Sequence, residues 1–571
     1  VKQAEPVRPT LSVLPEILGA FVPTLPFPKN MKWDGSGIYF PRPIRTTLCF
    51  YGAQCVRYKI GETSSGNKTF IFSKSKRTAH TVTGAASYFK TLKTNGVILD
   101  PEERKKTIQN ILDNLAKSFG GRLYDDPFLL NEVNFLGENP QGLSAPFDAQ
   151  FLKLPLEVLA VSMARKQRIF GLVDKKGEVL PKFLAIADRQ MNEKEKKLIS
   201  GNYENILHAK LQDSLFFYRE DMKIPLAKKR EELKSLIFLK KAGSMLEKSQ
   251  RLETLSKSFG KSFGLNPDQR QALEKAAHLS KADLLTQMVG EFPELQGVMG
   301  KYYARENGES QETAEAIGEQ YLPRTASDKL PETPAGAALS LFDKADLIVA
   351  CFLLGLEPTS SADPYGLRRS GNAVVKIAVE KKLNFSLPEL VKQIIALHRI
   401  NEAKEVFDKL CGGKGFFWDR FRAVYAPEFG GDVIDAAAGA VGYENFTQLY
   451  ERSRDVKKIL EEPSFAPAWK VIERTANILK GKDAAAKIDA ALFAETLEHE
   501  VFKKYEEFRQ SIEEAAARKD FGQATSLYAK AFFVILSEFF EKVFINAAVK
   551  AVRGTRLSIL GAITMLYTPP I

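Results

Sequence analysis

Cysteine is scarce in this chain. Cys49, Cys55, Cys351 and Cys411 are scattered through 571 positions without CxxC spacing, which argues against a zinc ribbon or a disulfide framework and points to a reducing compartment. Long apolar runs are missing too. The longest, near Leu347 to Leu356 and Ala531 to Leu536, fall well short of the roughly twenty residues a membrane helix needs and read as core helices. The opening VKQAEPVRPTLSVLP lacks the basic flank, apolar block and cleavage site of a secretory signal. Histidine is rare, and none of His80, His208, His278, His398 and His499 is followed by Asp, so the dipeptide that bridges two metals in a water-activating centre is absent. Gly260-Lys261-Ser262 ends like a phosphate loop, but Leu255 stands where its first glycine belongs.

What is present in excess is positive charge. Lys and Arg number 82 against 70 Asp and Glu, and the resulting +12 suits a polyanionic partner without requiring one. The length implies about three or four domains. Up to about residue 190, β-prone runs (GIYFPRP, TTLCFYG, VRYKIG, KTFIFS) alternate with turn clusters (ETSSGNK, TNG, GENPQG) and with helices near 101–119 and 155–165. Asp100 before Pro101-Glu102-Glu103 combines an N-cap, a proline at the first helical position and acids at the positive helix end. His80 reads as a surface or packing histidine, with an RNA or partner contact as the alternative.

Residues 192–264 read as nearly all helical, and KIPLAKKREELKSLIFLKKAG as a solvated helix face or else a phosphate-facing strip. Leu273, Ala277, Ser280, Leu284 and Met288 predict one helix that keeps Glu274, Lys275, Lys281 and Asp283 wet and stops before Phe292-Pro293. A second helix, about Ala338 to Leu354, carries Asp343, Lys344 and Asp346 on a solvated face or in a helix salt bridge, and turns wholly apolar at its far end. Between 398 and 466, Arg420 and Arg422 interleave with Trp418, Phe421 and Tyr425, as core rings with arginines reaching outward or as a stacking platform for bases. Phe532, Leu536, Phe539 and Val543, with Phe533, Phe540 and Phe544 beside them, predict a bundle that buries a wide aromatic face, and Ala484, Ala485 and Ala486 add small residues.

Several strings carry a family resemblance. ADLLTQMVGEFPELQGVMGKYYA, EQYLPR, LFDKADLIV and DPYGLRR, with LPFPKNMKW, FPRPIR, LDPEERKKTI, LLNEVNFL, FLKLPLEVL and ISGNYENILHAKLQDSLFFYREDMK before them and FFEKVFIN and VRGTRLSIL after, resemble in order the beta subunit of the bacterial-type, two-subunit glycyl-tRNA synthetase. The match covers nearly the whole chain and is densest from Ile199 to Ile377. LGENPQGLSAPFD departs from the family's tryptophan-containing segment, and AHTV stands for a GHRF-like string.

The resemblance implies a multidomain fold. An N-terminal α/β (α+β) module of editing type, lacking its first part, occupies 1–190; mostly all-α domains follow, namely an HD-like helical domain over 191–397, a helical linker over 398–466 and an anticodon-binding helical bundle over 467–571. It implies no catalytic residue and no metal here: neither HIGH and KMSKS strings nor arginine-bearing class II motifs occur, as expected where the class II site, with its ATP and Mg²⁺, lies on the alpha subunit. The implied role is to bind the acceptor and anticodon arms of tRNA(Gly) and dock on alpha for ATP-dependent glycylation, in an alpha2beta2 assembly in the cytoplasm or an organellar stroma or matrix. The candidate phosphate contacts are Arg324, Lys344, Arg368, Arg369, Arg420, Arg422, Lys480, Arg553 and Arg556, and the candidate base readers are Asn477 and Asn546. The competing readings are an HD-type metal-dependent phosphohydrolase acting on nucleotides or RNA, with Asp343 and Asp346 among its ligands, and a tRNA-binding structural protein without a synthetase partner.

Overall fold

The computed structural model describes residues 8–73, 76–124, 126–399, 403–413, 415–481 and 488–567. The chain divides into two compact units, Val1–Lys223 with Gly290–Leu295, and Ile224–Val289 with Gln296–Ile571. Ala484, Ala485 and Ala486 lie outside the described residues.

The first unit holds the sheets. Its four-stranded antiparallel sheet runs Arg122–Leu123, Phe170–Val173, Val179–Asp188, Pro140–Pro146 in spatial order. Helix Pro101–Ser118 packs across it and buries Ile108, Leu112 and Ala116 against Leu129, Val133, Phe170, Leu172 and Leu184. The predicted cap is there: Asp100 Oδ1 accepts from the Glu102 and Glu103 backbone N–H groups, each at 2.8 Å. GENPQG differs from its reading as a turn, because Pro140-Gln141-Gly142 opens the strand that pairs with Val179–Asp188 from Pro140↔Asp188 to Pro146↔Lys182. The proline sits at the first strand position, where no ladder donor is lost. His80, in strand Lys76–Thr81, places Nε2 2.9 Å from Thr78 Oγ1. Helix Glu193–Met222 belongs to this unit.

The second unit is almost wholly helical. Its axis is helix Pro334–Leu353, capped by the Thr333 hydroxyl and packed against Met245–Phe259, Pro267–Leu279, Gln311–Glu319, Leu367–Glu380 and Leu387–His398. Helix Ala403–Cys411 touches it as well, and six helical neighbours leave little wet face: Lys344 and Asp346 are buried and the Asp343 side chain is only 13% exposed, so the burial is not confined to the apolar end. The single helix predicted through Met288 is three pieces: Pro267–Leu279, a 3₁₀ turn at Ala282–Leu285, and Gln287–Glu291. Lys281 breaks it in a left-handed conformation (φ 68°), and Lys281 and Asp283 turn inward and are buried. The stop before Phe292-Pro293 holds. The KIPLAKKREELKSLIFLKKAG stretch is likewise not one helix. It folds as Leu226–Arg230, a 3₁₀ turn at Glu231–Ser235 and a hairpin of Ile237–Leu239 with Gly243–Ser244, and it buries Lys229 and Arg230.

Farther along, Phe417, Trp418, Phe421 and Tyr425 of helix Phe416–Phe429 are core rings, and Phe421 stacks on Phe446 with centroids 5.8 Å apart. Gly371 permits the close packing of Leu367–Glu380 on this helix, since a Cβ there would fall 2.7 Å from Arg420 Cγ and 2.8 Å from Phe416 Cε1. The last part is a bundle of Phe465–Leu479, Thr496–Ala517, Phe521–Lys542 and Lys550–Met565. Phe532, Leu536, Phe539 and Val543 are buried as the spacing predicted, but Phe544, beyond the helix end, is 74% exposed. No described helix is long and apolar enough to cross a membrane.

Candidate nucleic-acid interface

Two features of the second unit concentrate its chemistry, and the first is a buried charge cluster. Lys248 and Lys281 bring their ammonium groups to 3.1 and 2.9 Å from Asp343 Oδ1. Asp346, fully buried, accepts from Lys248 Nζ at 2.9 Å and from Arg251 Nε and Nη2 at 2.6 and 3.1 Å, while His398 Nε2 lies 2.9 Å from its Oδ1. Burial by itself pushes both carboxyls up. The surrounding cations reverse that, holding Asp343 at about 2 and Asp346 well below its ordinary value. These acids are poor candidates for metal ligands, because the chain's own donors already fill the positions a divalent cation would take. Among the described residues no group of three or more His, Cys, Asp or Glu is arranged to hold a metal.

Lys344 departs from its expected role. Its Nζ donates to Leu322 O and Ser340 Oγ, each at 2.8 Å, and burial, opposed by Asp343, brings it down to about 7. It belongs to the scaffold, its amine spent on Leu322 O and Ser340 Oγ. Arg556 is corrected for the same reason: its Nε donates to buried Glu498 and its Nη1 to Phe544 O at 2.7 Å. Arg324 is half-buried and donates through Nη2 to Gln296 O at 2.7 Å.

The second feature is a groove of about 440 Å³ in the last bundle. Arg474, Asn477 and Ile478 of helix Phe465–Leu479 form one wall, Phe540 stands opposite, and the loop from Val543 to Asn546 closes the end. Asn477 and Asn546, distant in sequence, thus line one space, and both are exposed. Arg474 lies over the Phe540 ring, 5.2 Å from its centroid. A cation, two carboxamides and aromatic surface suit an unstacked base with its phosphate. The sequence reading missed Arg474, although its i, i+3 spacing to Asn477 places both on one helix face, and it buried Phe544. Lys480 is exposed just past the same helix, and Arg553 is half-buried on Lys550–Met565.

The remaining candidates lie on packed neighbours. Arg368 and Arg369 open helix Leu367–Glu380, where the Asp363 carboxylate accepts from the Leu367 and Arg368 backbone N–H groups at 2.8 and 3.0 Å. Asp363 is therefore a cap, and the Arg368 side chain turns to Thr359 O instead of to an acid. Arg420, its guanidinium over the Phe416 ring with Cζ 5.5 Å from the centroid, lies close enough to feel the charge of Arg368. Arg422 pairs with Asp435 and lies over Trp418. In the first unit, a cavity of about 870 Å³ is lined by Asn139, Gln141 and Gln190 beside Asp100 and Glu103, but Asp100 there is the helix cap.

The model of the family "Glycyl-tRNA synthetase beta subunit" matches residues 1–439. The glycine–tRNA ligase beta subunit of Geotalea daltonii is 34% identical over 560 residues, which cover 98% of this chain and 80% of that protein. That of Moorella thermoacetica is 35% identical over 576 residues, with 98% and 80% covered, and that of Trichlorobacter lovleyi 34% over 568, with 100% and 82%. This chain belongs to the glycyl-tRNA synthetase beta subunit family.

Proposed function

We propose that the chain is the tRNA-binding subunit of a glycine–tRNA ligase, which grips tRNA(Gly) and docks on a class II alpha subunit where ATP and Mg²⁺ act, in an alpha2beta2 assembly. The observation that carries the reading is the groove of Arg474, Asn477, Phe540, Phe544 and Asn546. It offers polar edges and ring surface to one unstacked anticodon base, with Lys480 nearby for the backbone. The exposed Arg369 and half-buried Arg368 and Arg420 form a second cationic surface suited to phosphates of another part of the tRNA. The hydrolase alternative needs Asp343 and Asp346 as open ligands, and their occupation by Lys248, Lys281 and Arg251 speaks against it.

The test is reconstitution. The full chain mixed with an alpha subunit charges tRNA(Gly) with glycine, whereas neither chain does so alone. Glycylation by this chain alone, or by alpha alone at the rate of the mixture, refutes the reading.

A further inference from the structure

Beside the buried charge cluster the second unit opens a cavity of about 450 Å³, with Lys241, Glu247, Gln250, Arg251, His398 and Arg399 in its wall. Two of these side chains are fixed from behind. Arg251 is 6% exposed and commits Nε and Nη2 to Asp346; the His398 side chain is 1% exposed and commits Nε2 to the same carboxylate. Arg251 Nη1 and His398 Nδ1 remain, without a hydrogen-bond partner among the described residues, as the polar atoms these groups offer the cavity. At the mouth, Lys241 and Arg399 are exposed and make no ion pair among the described residues. Both hold left-handed backbone angles, φ 77° and 54°, where glycine is the less strained choice. Glu247 is the one acid in the wall, and its Oε2 already accepts from Ser244 N and Oγ at 2.7 and 3.0 Å.

Three cations and an imidazole thus face one engaged carboxylate. Asp346 behind them is balanced by Lys248 as well as by Arg251, so the cavity keeps a positive excess. A guanidinium edge and two longer cations suit a tetrahedral oxyanion with several acceptors better than a flat carboxylate with two. The volume exceeds what a bare ion needs and leaves room for an attached sugar.

We propose that this cavity is a phosphoryl-binding site, with Arg251 as the fixed floor donor beside the His398 ring and Lys241 and Arg399 as clamping cations at the mouth. The ligand is a phosphate ester, supplied either by a free nucleotide or phosphate or by an RNA chain. No bond is made or broken there. The inference does not rest on the anticodon groove, so each stands or falls alone.

The test uses the full chain, titrated calorimetrically with inorganic phosphate at constant ionic strength, in the wild type and in Lys241→Ala/Arg399→Ala. Neither side chain has a described ion pair, and an unchanged thermal midpoint verifies the fold. Phosphate binds the wild type and binds the double variant at least about tenfold more weakly. Competition by a 5′-phosphorylated tetranucleotide identifies an RNA end as the source, equal competition by its unphosphorylated form identifies the RNA backbone, and competition by neither identifies the free ion or nucleotide. Absence of phosphate binding by the wild type, or equal binding by the double variant, overturns the proposal.

Discussion

Neutralising the fully buried Asp346 exposes what holds the helical unit together. In Asp346→Asn the side chain keeps its shape but loses its charge, and one of its two oxygens becomes an NH₂ facing Lys248, Arg251 or His398. At least two charge-assisted bonds disappear, each worth about 1.5–3 kcal/mol. The remaining cations are then buried with less compensation, in line with the ~3–5 kcal/mol cost of removing one partner from a buried pair. Against a total stability of roughly 5–15 kcal/mol this is a large share, and for a unit of this size it lowers the thermal midpoint by roughly 4–7 °C. Urea denaturation followed by tryptophan fluorescence suits the measurement, since Trp418 is buried in the same unit. The pH dependence gives a second readout. Asp343 and Asp346 have folded pKa values below their unfolded ones, so their contribution is present above about pH 4 and is lost as pH falls toward about 2. The variant loses the Asp346 part of that acid slope. A loss under about 1 kcal/mol, or an unchanged slope, refutes the claim that this carboxylate neutralises the cluster; Lys248→Met combined with Asp346→Asn should cost less than the sum of the two single changes.

Four further outcomes follow from the geometry. Lys344 is held at about 7 when folded against an ordinary value near 10.5, so the unfolded chain binds more protons between those limits and stability rises with pH from about 7 to about 10. Lys344→Met raises stability by a few kcal/mol near pH 7 and abolishes that rise, measured as urea midpoints across the range. Arg556→Met leaves Glu498 buried and unpaired and destabilises the last bundle by about 3–5 kcal/mol, seen as reduced amide-exchange protection of Thr496–Ala517. Asn477→Ala weakens tRNA(Gly) binding about tenfold with a stability change within about 0.5 kcal/mol, because the side chain is exposed; filter binding and a thermal melt measure the two. Lys480→Ala leaves base preference unchanged and lowers the slope of log affinity against log salt by about one.

The elements most legible in the sequence were those with local chemistry of their own. Asp100 with Pro101 marked a helix start, Phe292-Pro293 marked a stop, and the spacing from Phe532 to Val543 marked a buried face. Each depends on neighbours within about one or two helical turns. What was not legible depends on how many elements surround a residue. The spacing of Asp343 and Asp346 on one helix has the same appearance on a wet face as in a buried cluster, and only the six helices around Pro334–Leu353 decide between them. Lys281 interrupts a good helical stripe because its ammonium has a buried acid to meet, and Asp343 lies 62 positions away with nothing local to announce it. Asn477 and Asn546 were separate candidates until the bundle placed them in one groove.

Burial also limits how much of the +12 charge can reach a polyanion. A sequence count treats every lysine and arginine as available to a polyanion, yet Lys229, Arg230, Lys248, Arg251, Lys281, Lys344 and Arg556 are all buried. Their charges are largely spent on buried acids and carbonyl oxygens, with the Arg251 edge at the cavity the exception. Net charge still sets the long-range field, so encounter with RNA benefits from all of it. In the proposed function, affinity and register come from cations whose head groups reach water, Lys480 and Arg369 among them. A basic protein with many internal ion pairs is therefore expected to show a smaller salt slope than its composition suggests, with each surface cation removed taking about one unit from it and each buried one taking stability instead.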